Sequence, residues 1–600
     1  MAKHKFEIVI HAVALLAISI FFVSFLSQDY PLVGHDYGYF VPRMLDTDIH
    51  YKINGLSIQW YTPSWGGGLP SYPNPQQIQF SLPQFLNLIM NPWAASVFSS
   101  IVFLWIGYFA TYFFITRTMR WRWQAGILGA LFFTVNGFYI EHMVVGHIGF
   151  QTFPLLPVIT LALFSASLPV IIPAIVISLV MTIVIHHSGF YLFVVFLLSL
   201  AVALPTLYLI DPKIFKFKRL LLVTLLASFI FLLLSGSKIH AVYSFIRFFP
   251  RQISDDYPIT ILQGLFGMAR QYVGAMGLTP LRMLRGQDIN ALLRYYSLVF
   301  NADYGVWEFD ISLTPILWIF LALGLLFRLL PKKQFSSGSF NHPDRWIAGG
   351  LVIFAVWVVI EFTLAKGFLY PTLQKLPILS SLHINVRFAS ALIYPLAILG
   401  AYSSVVVLEK FKVLSTPIAY SAITVFTLAP ILFYFSFSKD LWNRNFNIEQ
   451  SLQTYQMIKA GEISPVEKIV QLRKNQDLLE SSSNMSIYEP IFGYYLTDFH
   501  PEVVPGSVLK MRDGYFNMTN PAGFVFPEEN QTRPFERILA KDISRLQEFI
   551  NRRQPDWNRP LVQSTLDLMA EISAIAFIII LALFLLKRVS IVMTRNSNRN

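Results

Sequence analysis

No cysteine occurs in the 600 residues. That excludes disulfides, thiolate metal sites and a cysteine nucleophile. Charge is scarce as well: 13% of the residues are Asp, Glu, Lys or Arg, against about 25% in ordinary soluble proteins. No solenoid-type repeat and no low-complexity tract is present. No small-x-small cleavage site follows the first apolar run, Ile8 to Leu26, so that run is expected to stay as a signal anchor.

What the chain has instead is apolar length. It is 54% hydrophobic and 16% aromatic, with a mean hydropathy of +0.53. Many windows approach the ~18 apolar residues that cross a bilayer core. Hydropathy places about twelve transmembrane helices, roughly at 8–27, 93–116, 124–141, 152–167, 169–186, 189–210, 219–236, 312–330, 347–366, 388–408, 416–436 and 568–586. The expected fold is an all-α polytopic membrane protein.

The formal net charge is +12. In a soluble chain this would point to nucleic acid; here the cations gather in alternate short loops and mark the cytoplasmic face. Those loops carry Lys3 and Lys5; Arg117, Arg120 and Arg122; Lys213, Lys216, Lys218 and Arg219; Arg328, Lys332, Lys333 and Arg345; Lys410 and Lys412; and Lys587, Arg588 and Arg595. The alternation depends on the uncharged Ser165–Pro169 stretch being a true turn. The outer face then receives the long loops 28–92 and 237–311, the loop 367–387 and a polar block, 437–567. That block is long enough for a small α/β or α+β extracytoplasmic domain. Residues 1–436 form the main membrane domain. Residues 568–600 give the last helix and a basic tail.

The organising stretch is Gly34 to Gln84, dense in Gly, Pro, Trp, Tyr and amides. A plain connector needs only a few residues, so this loop is read as a cavity wall, with Trp65 and Gln76 lining it. Asp36 lies just beyond the membrane, where a carboxylate must be solvated, paired or working. It is read as the catalytic acid residue of an outer-surface centre, with His35 beside it to orient it; the alternative is a helix cap. Asp46 and Asp48 are expected as caps or solvated loop acids.

Glu141, His142 and His147 cluster where the third helix leaves the membrane. They are expected to bind substrate; a divalent cation and plain interfacial hydrogen bonding remain open. Of His186 and His187, adjacent on a helix, at most one faces a shared cavity, and His187 is taken as that one; plain interfacial solvation of the pair is the alternative. Lys238, Arg251 and Arg387 lie on the outer side against the charge rule. A phosphate would explain them; salt bridges to Asp255, Asp256 or Glu361 would do so equally. In the outer block, Ser486–Pro490 and Arg512–Asn517 are assigned to structure.

Together these features resemble the GT-C superfamily of membrane glycosyltransferases. The first helix leads into a long outer loop that opens on His35-Asp36, and Glu141 follows the third helix. Trp60 to Gln76, with Trp65-Gly66-Gly67-Gly68-Leu69-Pro70 and Pro73-Asn74-Pro75-Gln76, is similar to the loop of the bacterial YfhO-like branch. Gly146-His147 and Phe249-Pro250-Arg251 share that likeness, which extends to about residue 436. Tyr37 stands where the family often has a second acid. The resemblance implies inverting transfer of a sugar from a polyprenyl-phosphate carrier to an envelope glycan, lipid or protein acceptor, at the outer face of a bacterial plasma membrane. Asp36 would be the general base, Lys238, Arg251 or Arg387 would hold the lipid phosphate, and Glu141 and His142 would orient acceptor or sugar. Two other classes fit the composition: a flippase of a lipid-linked glycan, and a non-catalytic envelope assembly protein.

Overall fold

The computed structural model describes residues 2–24, 36–249, 257–283, 300, 304–329, 343–376, 379–441, 448–471, 481–485, 489 and 502–597. Of these described residues 70% are helical, and few are in strands. Among the described residues, seven helices are long and apolar enough to cross a membrane: His4–Val23, Pro92–Thr118, Phe190–Ile210, Phe217–Ile246, Asp344–Leu364, Asn385–Lys410 and Leu561–Lys587. Five shorter apolar helices, Trp123–Thr134, Ile148–Leu163, Ile171–His186, Pro315–Phe327 and Pro417–Ile431, fall on the remaining expected spans.

Contacts sort the helix ends into two groups. At one end Phe6 meets Trp123, Trp121 meets Tyr402, and the Tyr420 hydroxyl donates to the Gln124 carbonyl at 2.8 Å. Arg219 Nη2 donates to the carbonyls of Ser165 (3.0 Å) and Leu168 (2.6 Å). The Ser165–Pro169 stretch is thus a turn between two helices, and a residue of the basic loop clamps it. At the other end the Asp36 amide donates to the Val145 carbonyl, and the Tyr37 ring packs edge-on against Trp93.

Several elements differ from expectation. The third apolar segment is broken: Trp123–Thr134 stops, and Gly137–Val145 restarts after Asn136, whose side chain caps the Tyr139 amide at 2.8 Å. Phe217–Ile246 runs past the expected end at 236, so Ser237, Lys238 and Tyr243 are helical. The loop after the first span contains a further helix, Tyr37–Asn54. On it Asp46 and Asp48 are buried acceptors, neither caps nor solvated acids. Asp46 accepts from Gln59 (2.7 Å) and Ser64 (2.5 Å), and Asp48 from Gln84 (3.1 Å) and Asn87 (2.8 Å). Burial pushes the Asp48 carboxyl up to about 7, against the opposing charges of Lys459 and Lys52.

A second apolar core lies beyond the bundle, and the 437–567 block does not build it alone. Trp60, Tyr61, Trp65, Leu69 and Tyr72 share it with Tyr455, Ile469, Phe516, Phe524, Phe549 and Trp557. The block's described part has two three-stranded sheets. In one, Lys468–Val470 lies between Ser482–Asn484 and Gly506–Ser507; in the other, Tyr515–Thr519 lies between Met511–Arg512 and Arg537–Leu539. The glycine turn docks on both sheets: Gly66 donates to the Asn484 carbonyl (2.9 Å), and the Thr519 amide donates to the Gly67 carbonyl (2.8 Å).

Gly68 has φ +121°, and a Cβ there would stand 2.9 Å from the Thr519 carbonyl oxygen and 3.0 Å from the Phe549 ring. Backbone strain and a backbone clash therefore coincide. Gly68→Ala is expected to cost about 1–3 kcal/mol, read by thermal unfolding in detergent. An unchanged melting temperature would show that the turn is not held against the strand.

Candidate active site

The polar groups of interest converge at the bundle end opposite the clamped turn. Asp36 precedes the Tyr37–Asn54 helix. His142 sits on Gly137–Val145, and His147 follows Gly146, which ends that helix at φ +96°. A Cβ on Gly146 would lie 2.5 Å from the Tyr37 amide nitrogen, so the chain passes close enough to bring His147 onto Asp36. Glu308 lies in the short Val306–Glu308 helical turn, and Arg387 lies in the first turn of the Asn385–Leu392 helical stretch.

The contacts run in one line. His147 Nε2 donates to Asp36 Oδ2 at 2.6 Å. The His142 and His147 rings pack with centroids 4.9 Å apart. His142 Nε2 stands 3.6 Å from Glu308 Oε2, and Glu308 takes a two-pronged hydrogen bond from Arg387 Nε and Nη2. The Arg387 guanidinium also lies over the Phe150 ring at 5.1 Å and near Tyr191 at 5.8 Å. The line has an open side. The side chains of Asp36, His147 and Arg387 keep 19%, 10% and 11% exposure, while His142 and Glu308 keep 0% and 3%.

Burial sets the charge states. It lowers the His142 imidazole to about 4, with His147 and Arg387 acting the same way against the nearby Glu308 carboxylate. Burial alone would raise the Glu308 carboxyl; the charge and hydrogen bonds of Arg387, with help from His142, outweigh it and hold Glu308 well below the carboxylate range.

Four expected site residues, Asp36, His142, His147 and Arg387, thus share one cluster. Arg387 pairs with Glu308, not with Glu361, which accepts from the Leu369 and Tyr370 amides and the Trp357 indole. Sequence reasoning passed over Glu308; an acid in Val306-Trp307-Glu308-Phe309-Asp310, at the mouth of an apolar helix, was the available signal. His35 and Arg251, like Asp255 and Asp256, lie outside the described residues.

The other expected residues stand elsewhere. Glu141 is buried with Asp310 as its charged neighbour, and its oxygens have no hydrogen-bond partner among the described residues. His187 bonds Gln151 at 3.0 Å, and Gln151 holds Ser96 and Ser100, so this histidine braces the Ile148–Phe150 turn from within. Trp65 lies by a second polar group: its ring is 4.9 Å from the Arg43 guanidinium, and Arg43 pairs with Glu489 at 2.5 Å. Tyr39 and Asn74 also donate to Glu489, which therefore does more than shape a turn. The Gln76 amide donates to Asn74 at 2.9 Å, beside the same group. Tyr39 and Arg43 follow Asp36 at helical spacing, so this second group lies about 10 Å along the same face.

Lys238 is fully buried and donates to the carbonyls of Tyr72 (2.5 Å) and Asn74 (2.9 Å). This geometry pins the 72–74 loop to the bundle. Lys238→Met leaves both carbonyls unpaired and is expected to cost about 1–3 kcal/mol, read by thermal unfolding in detergent. Unchanged stability would show that the two hydrogen bonds do not hold the loop.

No protein-family description and no curated protein sequence matches the chain.

Proposed function

We propose that this chain is a membrane glycosyltransferase of the GT-C type, moving a sugar from a polyprenyl-phosphate carrier to an envelope acceptor with inversion. One observation carries the reading. A partly open carboxylate, Asp36, oriented by His147 at 2.6 Å, shares a cluster with the Arg387 cation at the end away from the basic turn-clamping loop. By the charge rule that end faces outward, across a bacterial plasma membrane in this proposal, and the five shorter apolar helices complete the span set.

In the reaction, Asp36 accepts the proton of the acceptor hydroxyl. The hydroxyl oxygen bonds the anomeric carbon as the carbon–oxygen bond to the carrier phosphate breaks. Polyprenyl phosphate leaves as the anion, and one displacement inverts the centre. The His147 N–H fixes which Asp36 oxygen faces the acceptor. Arg387 offers positive charge where the leaving phosphate gains negative charge, although Glu308 shares that charge. Neither Glu141 nor Lys238 is part of this scheme.

Sugar transfer in detergent separates this reading from a flippase, which needs two compartments to show activity. Protein purified in detergent and given a polyprenyl-phosphate sugar and an envelope acceptor is expected to form an inverted glycoside. No transfer with any such donor, alongside translocation in vesicles, would favour the flippase.

A further inference from the structure

We propose that His142, His147 and Glu308 form a three-ligand site for a divalent transition-metal ion, Zn²⁺ first among them. One ligand atom from each residue lies within 4.8 Å of the other two, and all three residues are buried. Ligand atoms around a tetrahedral Zn²⁺ sit about 3.3 Å apart, given bonds of about 2.0–2.2 Å. The His142 Nε2 to Glu308 Oε2 distance, 3.6 Å, is already near that value, and it is too long for a hydrogen bond.

The ring nitrogens are arranged as a metal needs them. A metal-bound imidazole usually donates its other N–H to a carboxylate or a backbone carbonyl. His147 donates Nε2–H to Asp36, and His142 donates Nδ1–H to the Phe138 carbonyl at 2.7 Å. That leaves Nδ1 of His147 and Nε2 of His142, and neither has a hydrogen-bond partner among the described residues. A structural histidine pair would be expected to fill these positions, because a buried acceptor left unpaired costs about 1–3 kcal/mol. Glu308 is held in place by Arg387, which uses one lone pair on each carboxylate oxygen and leaves the second.

Charge permits the ion. The fixed charges beside the site, Asp36, Glu308 and Arg387, sum to minus one. Two imidazoles and a carboxylate suit Zn²⁺ over Mg²⁺ or Ca²⁺, which prefer oxygen ligands, and over Mn²⁺, which binds such sites less tightly. Three protein ligands also leave a fourth position for water or an oxygen of substrate. The site does not rest on the sugar-transfer reading, because metal content is measured without turnover.

The test uses the full chain, purified in detergent, stripped with chelator and titrated with Zn²⁺. One equivalent is expected to bind, and X-ray absorption of the loaded protein should show two imidazoles. His142→Ala should weaken binding at least 100-fold. Asp36→Asn keeps all three ligands and should lower affinity about 10–100-fold at the same stoichiometry. Glu141→Gln should bind as the parent does. No binding by the stripped parent, a metal shell without two imidazoles, or an affinity unchanged by both His142→Ala and Asp36→Asn would overturn the proposal. Because the spectrum is taken on the parent protein, misfolding of a variant does not decide the matter.

Discussion

Asp36→Asn is expected to lower turnover with a polyprenyl-phosphate sugar about 10²–10⁴-fold, the usual contribution of a positioned general base. The amide keeps the size of the side chain and still accepts from His147 Nε2, so the local fold and the Tyr37–Asn54 helix should persist. What it loses is the basicity to take a proton from the acceptor hydroxyl. The measurement is the rate at saturating donor and acceptor, with Zn²⁺ in excess so that weakened metal binding does not contribute. KM for the donor should move little, since Asp36 faces the acceptor in this scheme. Near-normal turnover would remove Asp36 from the chemistry.

Arg387→Ala is expected to destabilise the protein by about 3–5 kcal/mol, the cost of leaving one partner of a buried ion pair alone. Glu308 is 3% exposed and takes both arms of the guanidinium fork. Without Arg387 its buried carboxylate is left with the more distant His142 and His147 imidazoles. The double variant Glu308→Gln/Arg387→Met should recover much of the loss, because neither buried charge then remains. Unfolding in detergent reads both. An Arg387→Ala protein as stable as its parent, with only a raised donor KM, would mean that Arg387 serves phosphate alone and that the pair with Glu308 contributes little.

Which site residues could be read from sequence follows from the reach of local rules. Asp36, His147 and Arg387 stood out because charge beside apolar segments is costly, and the structure places them together. Position at one helix end groups Glu141 with His142 and His147, but the helix separates them. Consecutive helical residues point about 100° apart, so His142 faces Glu308 while Glu141 turns to Asp310. Glu308 itself was hidden because its role depends on a pairing with Arg387, 79 residues later. Lys238 looked like a loop cation because hydropathy falls at Ser235-Gly236-Ser237, yet packing carries the helix on to Ile246.

The apolar segments were legible for a simpler reason: length and hydropathy are local properties. The outer core was not. Trp65-Gly66-Gly67-Gly68 closes its own turn with a Gly68 to Trp65 hydrogen bond, but the strands it docks on, at Asn484 and Thr519, lie more than 400 positions away. Long-range pairing of this kind leaves no periodic trace, so the glycines read as a cavity wall when they are a docking surface for the 437–567 block.

A cryo-EM structure of the protein with a bound polyprenyl-phosphate sugar tests the central claim most directly. The account predicts the anomeric carbon within reach of Asp36, the phosphate on the Arg387 side, and the lipid tail leaving between apolar helices. A headgroup bound at the end where Arg219 clamps the Ser165–Pro169 turn, or anywhere that Asp36 cannot touch, would contradict it.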